Sequence, residues 1–169
     1  PLQQLVIKAV PADVGQVLEG YAGTGFFSGP LVDSGRKVVA IESHPAAVEV
    51  FRREVGKAEL REGRFEDEME NALAGLGEGP SVCLINPPRG GLSPDARKLL
   101  AQHRPFVGIL YLSCDPPALA RDVRALGEFW KPGWFQPVDL FPRTAHVECL
   151  AWLSSRLSPD ISRGVGAGH

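Results

Sequence analysis

Short apolar runs recur along this chain, and most of them end in a polar or glycine-rich cluster. Residues 16–20 (QVLEG), 37–41 (KVVAI), 81–85 (SVCLI), 106–112 (FVGILYL) and 147–153 (VECLAWL) have the length and composition of strands, several of them buried on both faces. Residues 58–60 and 135–140 are weaker candidates. Between the runs the period changes. Residues 45–55 carry Val48, Phe51, Arg52 and Val55 at three- and four-residue intervals, while 93–103 and 116–129 open on a cap or a proline and repeat leucines at helical spacing. Alternating strand and helix predicts an α/β fold with a parallel, doubly wound sheet. Ligands of such sheets lie at the carboxyl ends of the strands, and that is where the unusual polar clusters fall.

Composition narrows the picture without changing it. The 169 residues fit one domain with a real core, and an apolar content of 44% suits a globular chain. The expected domain is 1–157, because residues 158–169 hold little to bury and predict a disordered tail. No apolar run approaches the roughly 18 residues of a membrane span, and the first ten residues lack the pattern of a signal peptide. Cys83, Cys114 and Cys149 are widely spaced with no C-x-x-C pair, a poor framework for disulfides or zinc. No metal is expected, and a reducing cytoplasm is. A net charge of −2 means that any attraction to nucleic acid must come from local patches or from another domain.

Two strand ends suit a nucleoside-bearing ligand. After the first strand comes Glu19-Gly20-Tyr21-Ala22-Gly23-Thr24-Gly25, where Gly23 and Gly25 allow a sharp turn and close backbone approach. The third glycine of a dinucleotide fingerprint is replaced by Ser28, and no phosphate-loop lysine follows. A turn that opens on an acid suits a cationic ligand better than a pyrophosphate. Glu42, at the tip of the second strand, stands where an acid receives ribose hydroxyls.

Three further clusters suit reaction chemistry. Asn86-Pro87-Pro88-Arg89-Gly90-Gly91 makes a stiff platform for a planar ring. Cys114 leaves its strand just before a helix that starts at Pro116, and the positive end of a helix favours a thiolate beside it. Asp115 reads as the cap of that helix. Cys83, inside an apolar run, and Cys149 read as small core residues. His146 and Glu148 alternate at the start of the last strand and so face the same side.

Taken together, YLSCDPPALARDV (111–123), DLFPRTAHVECL (139–150), EGYAGTG and NPPRGG resemble the RNA uracil-5-methyltransferase family, over about residues 18–153. The resemblance implies a seven-stranded, Rossmann-like methyltransferase sheet whose last strand is antiparallel, and S-adenosyl-L-methionine as cofactor. It implies Cys114 as nucleophile and Glu148 as base. Tyr21, Phe26, Glu42 and Asn86 fall on the family's cofactor-contacting positions, alongside the turn glycines Gly23 and Gly25. The substrate implied is an unpaired or flipped uridine in ribosomal or transfer RNA, methylated at C5 through a Cys–C6 adduct. The family has Asp where this chain has Glu19 and Asn86. Its RNA-binding β-barrel and Phe-x-Gln-x-Asn segment have no counterpart here, which predicts that Pro1 is not the natural start. Alternatives are an amino-group methyltransferase, suggested by Asn86-Pro87-Pro88 but lacking the aromatic that should replace Arg89, and a cofactor-binding module without activity of its own.

Overall fold

The computed structural model describes residues 2–102, 105–139 and 147–157. Its strands are β1 (Gln16–Gly20), β2 (Lys37–Glu42), β3 (Glu59–Glu62), β4 (Ser81–Ile85), β5 (Phe106–Ser113), β6 (Trp130–Val138) and β7 (Glu148–Ser155). They form one sheet in the order β3-β2-β1-β4-β5-β7-β6. β1 to β5 run parallel, and β7 enters antiparallel between β5 and β6. The sheet is therefore the mixed, doubly wound one expected, although the weak candidate at 135–140 begins five residues earlier, at Trp130. Pro132 and Pro137 obscure that strand in the sequence. They are tolerated because β6 is an edge, where a missing N–H leaves no partner unpaired.

Alternation along the strands divides the core in two. Leu18, Val39, Ile41, Cys83, Ile85, Ile109 and Tyr111 point to one face. There they meet α4 (Phe65–Gly75) through Met69, α5 (Pro94–Gln102) through Leu100, and α6 (Pro116–Leu126) through Leu119. Val17, Val38, Val82, Leu84, Leu110 and Leu112 point to the other face, beneath α1 (Leu2–Ala9) and α2 (Ser28–Asp33). α3 (Pro45–Glu54) packs there as well, through Phe51 against Ala40. Period-two burial of β-branched and aliphatic side chains on both faces is what a central parallel sheet requires.

α1, α2 and α4 have no counterpart in the helices expected from periodicity. For α4 a local signal was present, in the three acids Glu66, Asp67 and Glu68 of its first turn, which complement the helix dipole. Residues 140–146, with His146 among them, and the tail 158–169 lie outside the described residues. Among the described residues, no helix is long and apolar enough to cross a membrane.

Candidate active site

The strand order reverses between β1 and β4, so the connections leaving these two strands run to opposite sides and open a crevice at their carboxyl ends. A cleft of about 430 Å³ occupies this place, lined among others by Tyr21, Glu42, Phe65, Asn86, Pro88 and Gly91. Its volume lies within the range of small-molecule sites. The fold thus brings Tyr21, Glu42 and Asn86, from three different strand ends, to one wall.

The turn after β1 is held by Glu42. One carboxylate oxygen accepts the Gly23 N–H at 2.7 Å, and the other accepts those of Ser43 at 2.8 Å and His44 at 2.7 Å. A single side chain thereby fixes the glycine turn and the entry to α3. Gly23 has φ +59° and open space where a side chain would be, so its backbone is bare beside Glu42. Gly25, at φ +88°, has a different reason for being glycine: a Cβ there would collide with Val55 and press on Phe51. Its smallness serves the packing of α3 against the turn. Tyr21 alone among the described non-glycine residues has positive φ, at 60°. Its ring stacks on Phe65, with centroids 5.3 Å apart. Phe65, itself part of the cleft lining, was not singled out from the sequence, because only the fold brings the start of α4 under β1. Phe26 does not line this cleft. It is 53% exposed and meets Phe27 edge-on.

Glu19 differs from its expected setting. Its carboxyl is buried mid-sheet and accepts the Ser28 hydroxyl, so it lies beneath the turn rather than in the cleft. Desolvation, opposed by the Ser28 hydrogen bond and reinforced by the charge of Glu42, pushes its pKa up to about 8. At neutral pH the group is therefore protonated in the fold and ionised when unfolded. Folding binds a proton over that window, so stability is full below the unfolded value near 4.5 and declines as pH rises to about 8. The decline amounts to about 1.4 kcal/mol per pH unit. Glu19→Gln should flatten this slope and raise the melting temperature at pH 8. Thermal melts with unchanged pH dependence would contradict the protonated assignment.

The segment expected to carry the reaction lies one strand further along. Cys114 follows β5 and is partly exposed. Around it, Ser113 Oγ accepts the Asp115 N–H at 3.1 Å, and Asp115 caps α6 by accepting the Ala118 N–H at 3.2 Å. The cap follows the sequence expectation. The β5–β7 register ends at the pair Ser113–Cys149, so Cys114 and Glu148 each adjoin that last pair along the chain, and Glu148 itself pairs with Val138 of β6. Because β7 runs backwards, the beginning of that strand reaches the edge where parallel strands end. Cys114 and Glu148 do not line the 430 Å³ cleft. They stand beside it, with β5 two strand spacings, roughly 10 Å, from β1. Cys83 is buried within β4, and burial pushes its thiol well up. Desolvation also raises that of Cys149. Among the described residues, no group of three His, Cys, Asp or Glu is placed to hold a metal.

Residues 79–156 match the family described as tRNA (uracil-5-)-methyltransferase. An uncharacterized RNA methyltransferase of Synechocystis sp. is 37% identical over 142 residues, which are 82% of this chain and 30% of that protein. One of Gloeobacter violaceus is 36% identical over 161 residues, 90% of this chain and 33% of that protein. The crystal structure of Pyrococcus abyssi tRNA (uracil-54, C5)-methyltransferase in complex with S-adenosyl-L-homocysteine superposes with a TM-score of 0.74 at 30% identity. That match covers 90% of this chain and 37% of the other. The chain spans about a third of the length of the curated relatives it matches. The sheet order, the cleft at its switch point and these matches agree, and the chain is similar to the RNA uracil-5-methyltransferase family, whose model matches residues 79–156.

Proposed function

We propose that the full-length protein methylates C5 of an unpaired or flipped uridine in RNA, with S-adenosylmethionine as methyl donor, Cys114 as nucleophile and Glu148 as base. The observation that supports the reading is the β5–β7 pairing, whose last pair, Ser113 with Cys149, is adjoined along the chain by the half-exposed Cys114 and the half-buried Glu148.

The cleft suits the donor. Glu42 offers Oε2 to a ribose hydroxyl, since that oxygen accepts one backbone N–H whereas Oε1 already accepts two. Tyr21, buttressed by Phe65, supplies an aromatic wall, and the bare backbone at Gly23 admits close approach. Asn86 offers an amide at the side nearer β5. Bound there, S-adenosylmethionine supplies an electrophilic methyl group on a sulfonium.

Carbon 5 of uracil is too weak a nucleophile to take that methyl unaided. Addition of the Cys114 thiolate to C6 forms an S–C bond and pushes the ring electrons towards C5 and the C4 oxygen, exchanging one hard step for two easier ones. Once C5 carries both the methyl and its original hydrogen, Glu148 removes the proton. The electron pair left behind restores the C5–C6 double bond and expels the thiolate. RNA affinity is shared with parts of the protein outside this chain, in keeping with a net charge of −2.

RNA containing 5-fluorouridine tests the reading, because fluorine at C5 leaves no proton to remove. The full-length protein, with S-adenosylmethionine labelled in its methyl group, should give a gel-shifted protein–RNA band that carries the label. Ordinary RNA methylated without any such band would reject the covalent uracil route.

A further inference from the structure

Near the cleft lies a side-chain cluster to which the functional reading assigns no part. Asp122, on α6, is fully buried, and its carboxylate gathers three other pieces of chain together with Arg121 of its own helix. One oxygen accepts the Leu92 N–H and the Tyr111 hydroxyl, each at 2.7 Å. The other accepts Arg97 at 2.9 Å and Arg121 at 2.9 and 3.1 Å. Both arginines reach on to the loop 86–92: Arg97 donates to the Leu92 carbonyl and Arg121 to that of Gly90, each at 2.7 Å. Gly91 has φ +73°, and a Cβ there would strike Asp122 and press on Arg121 and Ala118. The loop is therefore shaped to lie directly on the cluster.

Burial opposes ionisation of Asp122, but the Leu92 amide, the Tyr111 hydroxyl and the guanidiniums of Arg121 and Arg97 hold it below the usual carboxylate range. Buried ionic clusters of this kind add little stability over apolar packing of equal volume, while loss of one partner strands the rest. What such a cluster can do is fix a geometry. Here it ties loop 86–92, whose Asn86, Pro88 and Gly91 line the cleft, to β5 three residues before Cys114 and to the helix that begins just after it.

We propose that Asp122 is a positioning residue that keeps the cleft wall and the Cys114 turn in mutual register. Its importance for methyl transfer rests on the functional reading above, whereas the clamp itself is a matter of geometry. Asp122 does not line the cleft and acts only through the groups it holds.

The test compares Asp122→Asn with Leu126→Ala in the full-length protein. Leu126 is buried on the same helix outside the cluster, so its variant controls for general destabilisation. Hydrogen exchange of peptides covering 86–93 and 112–119 should quicken about tenfold or more in Asp122→Asn, while those covering 16–20 and 37–42 keep their rates. Leu126→Ala should lower the melting temperature without this selective loosening. At a temperature where both are folded, kcat for methyl transfer should fall on the order of 100-fold in Asp122→Asn, with KM for RNA little changed. Leu126→Ala should retain it. Should Asp122→Asn not fold, Arg121→Gln, which cuts the tie to Gly90 from a half-exposed position, must loosen the same two peptides. Unchanged exchange in those peptides overturns the proposal, and so does unchanged kcat in a loosened variant. A wild-type protein that methylates no uridine would defeat the functional reading alone, and the exchange pattern would still decide the clamp.

Discussion

Replacing Cys114 by alanine in the full-length protein should reduce methyl transfer to RNA by on the order of 10⁴-fold or more and abolish the fluorouridine-dependent band. The size of the effect follows from the chemistry at C5. Without a bond at C6, the ring has no enolate character, and no neighbouring side chain can substitute for it. Cys83 is sealed within β4 with its thiol pushed up by burial. Cys149 faces the core opposite Ser113. S-adenosylhomocysteine affinity should change less than about threefold, under half of the 1.4 kcal/mol that a tenfold change represents, because Cys114 lies outside the cleft lining. Calorimetry on the same variant separates the two effects. Substantial turnover in Cys114→Ala would remove the nucleophile from the proposal.

Glu148→Gln should separate the two halves of the reaction. Thiol addition and methyl arrival proceed, but loss of the C5 proton slows by roughly 10²–10⁴-fold, the usual contribution of a positioned base. A covalent protein–RNA species should then accumulate with ordinary uridine, in an amount that tracks enzyme rather than time. Denaturing gels and intact mass would show the methylated nucleotide still attached to Cys114. The amide is nearly isosteric with the acid, and the pairing of β7 with β5 and β6 is carried by backbone bonds, so the fold should be retained. Normal multiple turnover with no trapped species would exclude Glu148 as the base.

The sequence discloses those parts of the site that are continuous in the chain. The turn Glu19–Gly25, the loop 86–91 and the segment around Cys114 each announce themselves by residue types that packing alone does not favour, and each closes a strand. The parts made by convergence stay hidden. Asp122 draws its partners from Leu92, Arg97, Tyr111 and Arg121, and nothing in their spacing predicts that α5, β5 and α6 meet over one loop. Glu19 shows the opposite failure. Its place beside a glycine turn suggested a group facing a cationic ligand, but β1 lies between β2 and β4 and is covered on both faces, which leaves mid-strand acids no route to solvent. A similar asymmetry separates Gly23 from Gly25. Both look like ligand-approach glycines, yet only the second is demanded by a neighbouring helix.

Glu42 holds three backbone amides in its own right, so the end of the cleft around it is already rigid before anything enters it. The conformational entropy of shaping that end is lost during folding rather than at each encounter with a ligand. A guest there meets a preorganised surface, and more of its contact energy remains available as affinity. On the proposed reading the same carboxylate links thermal stability to ligand capture, and selection on either one constrains the other.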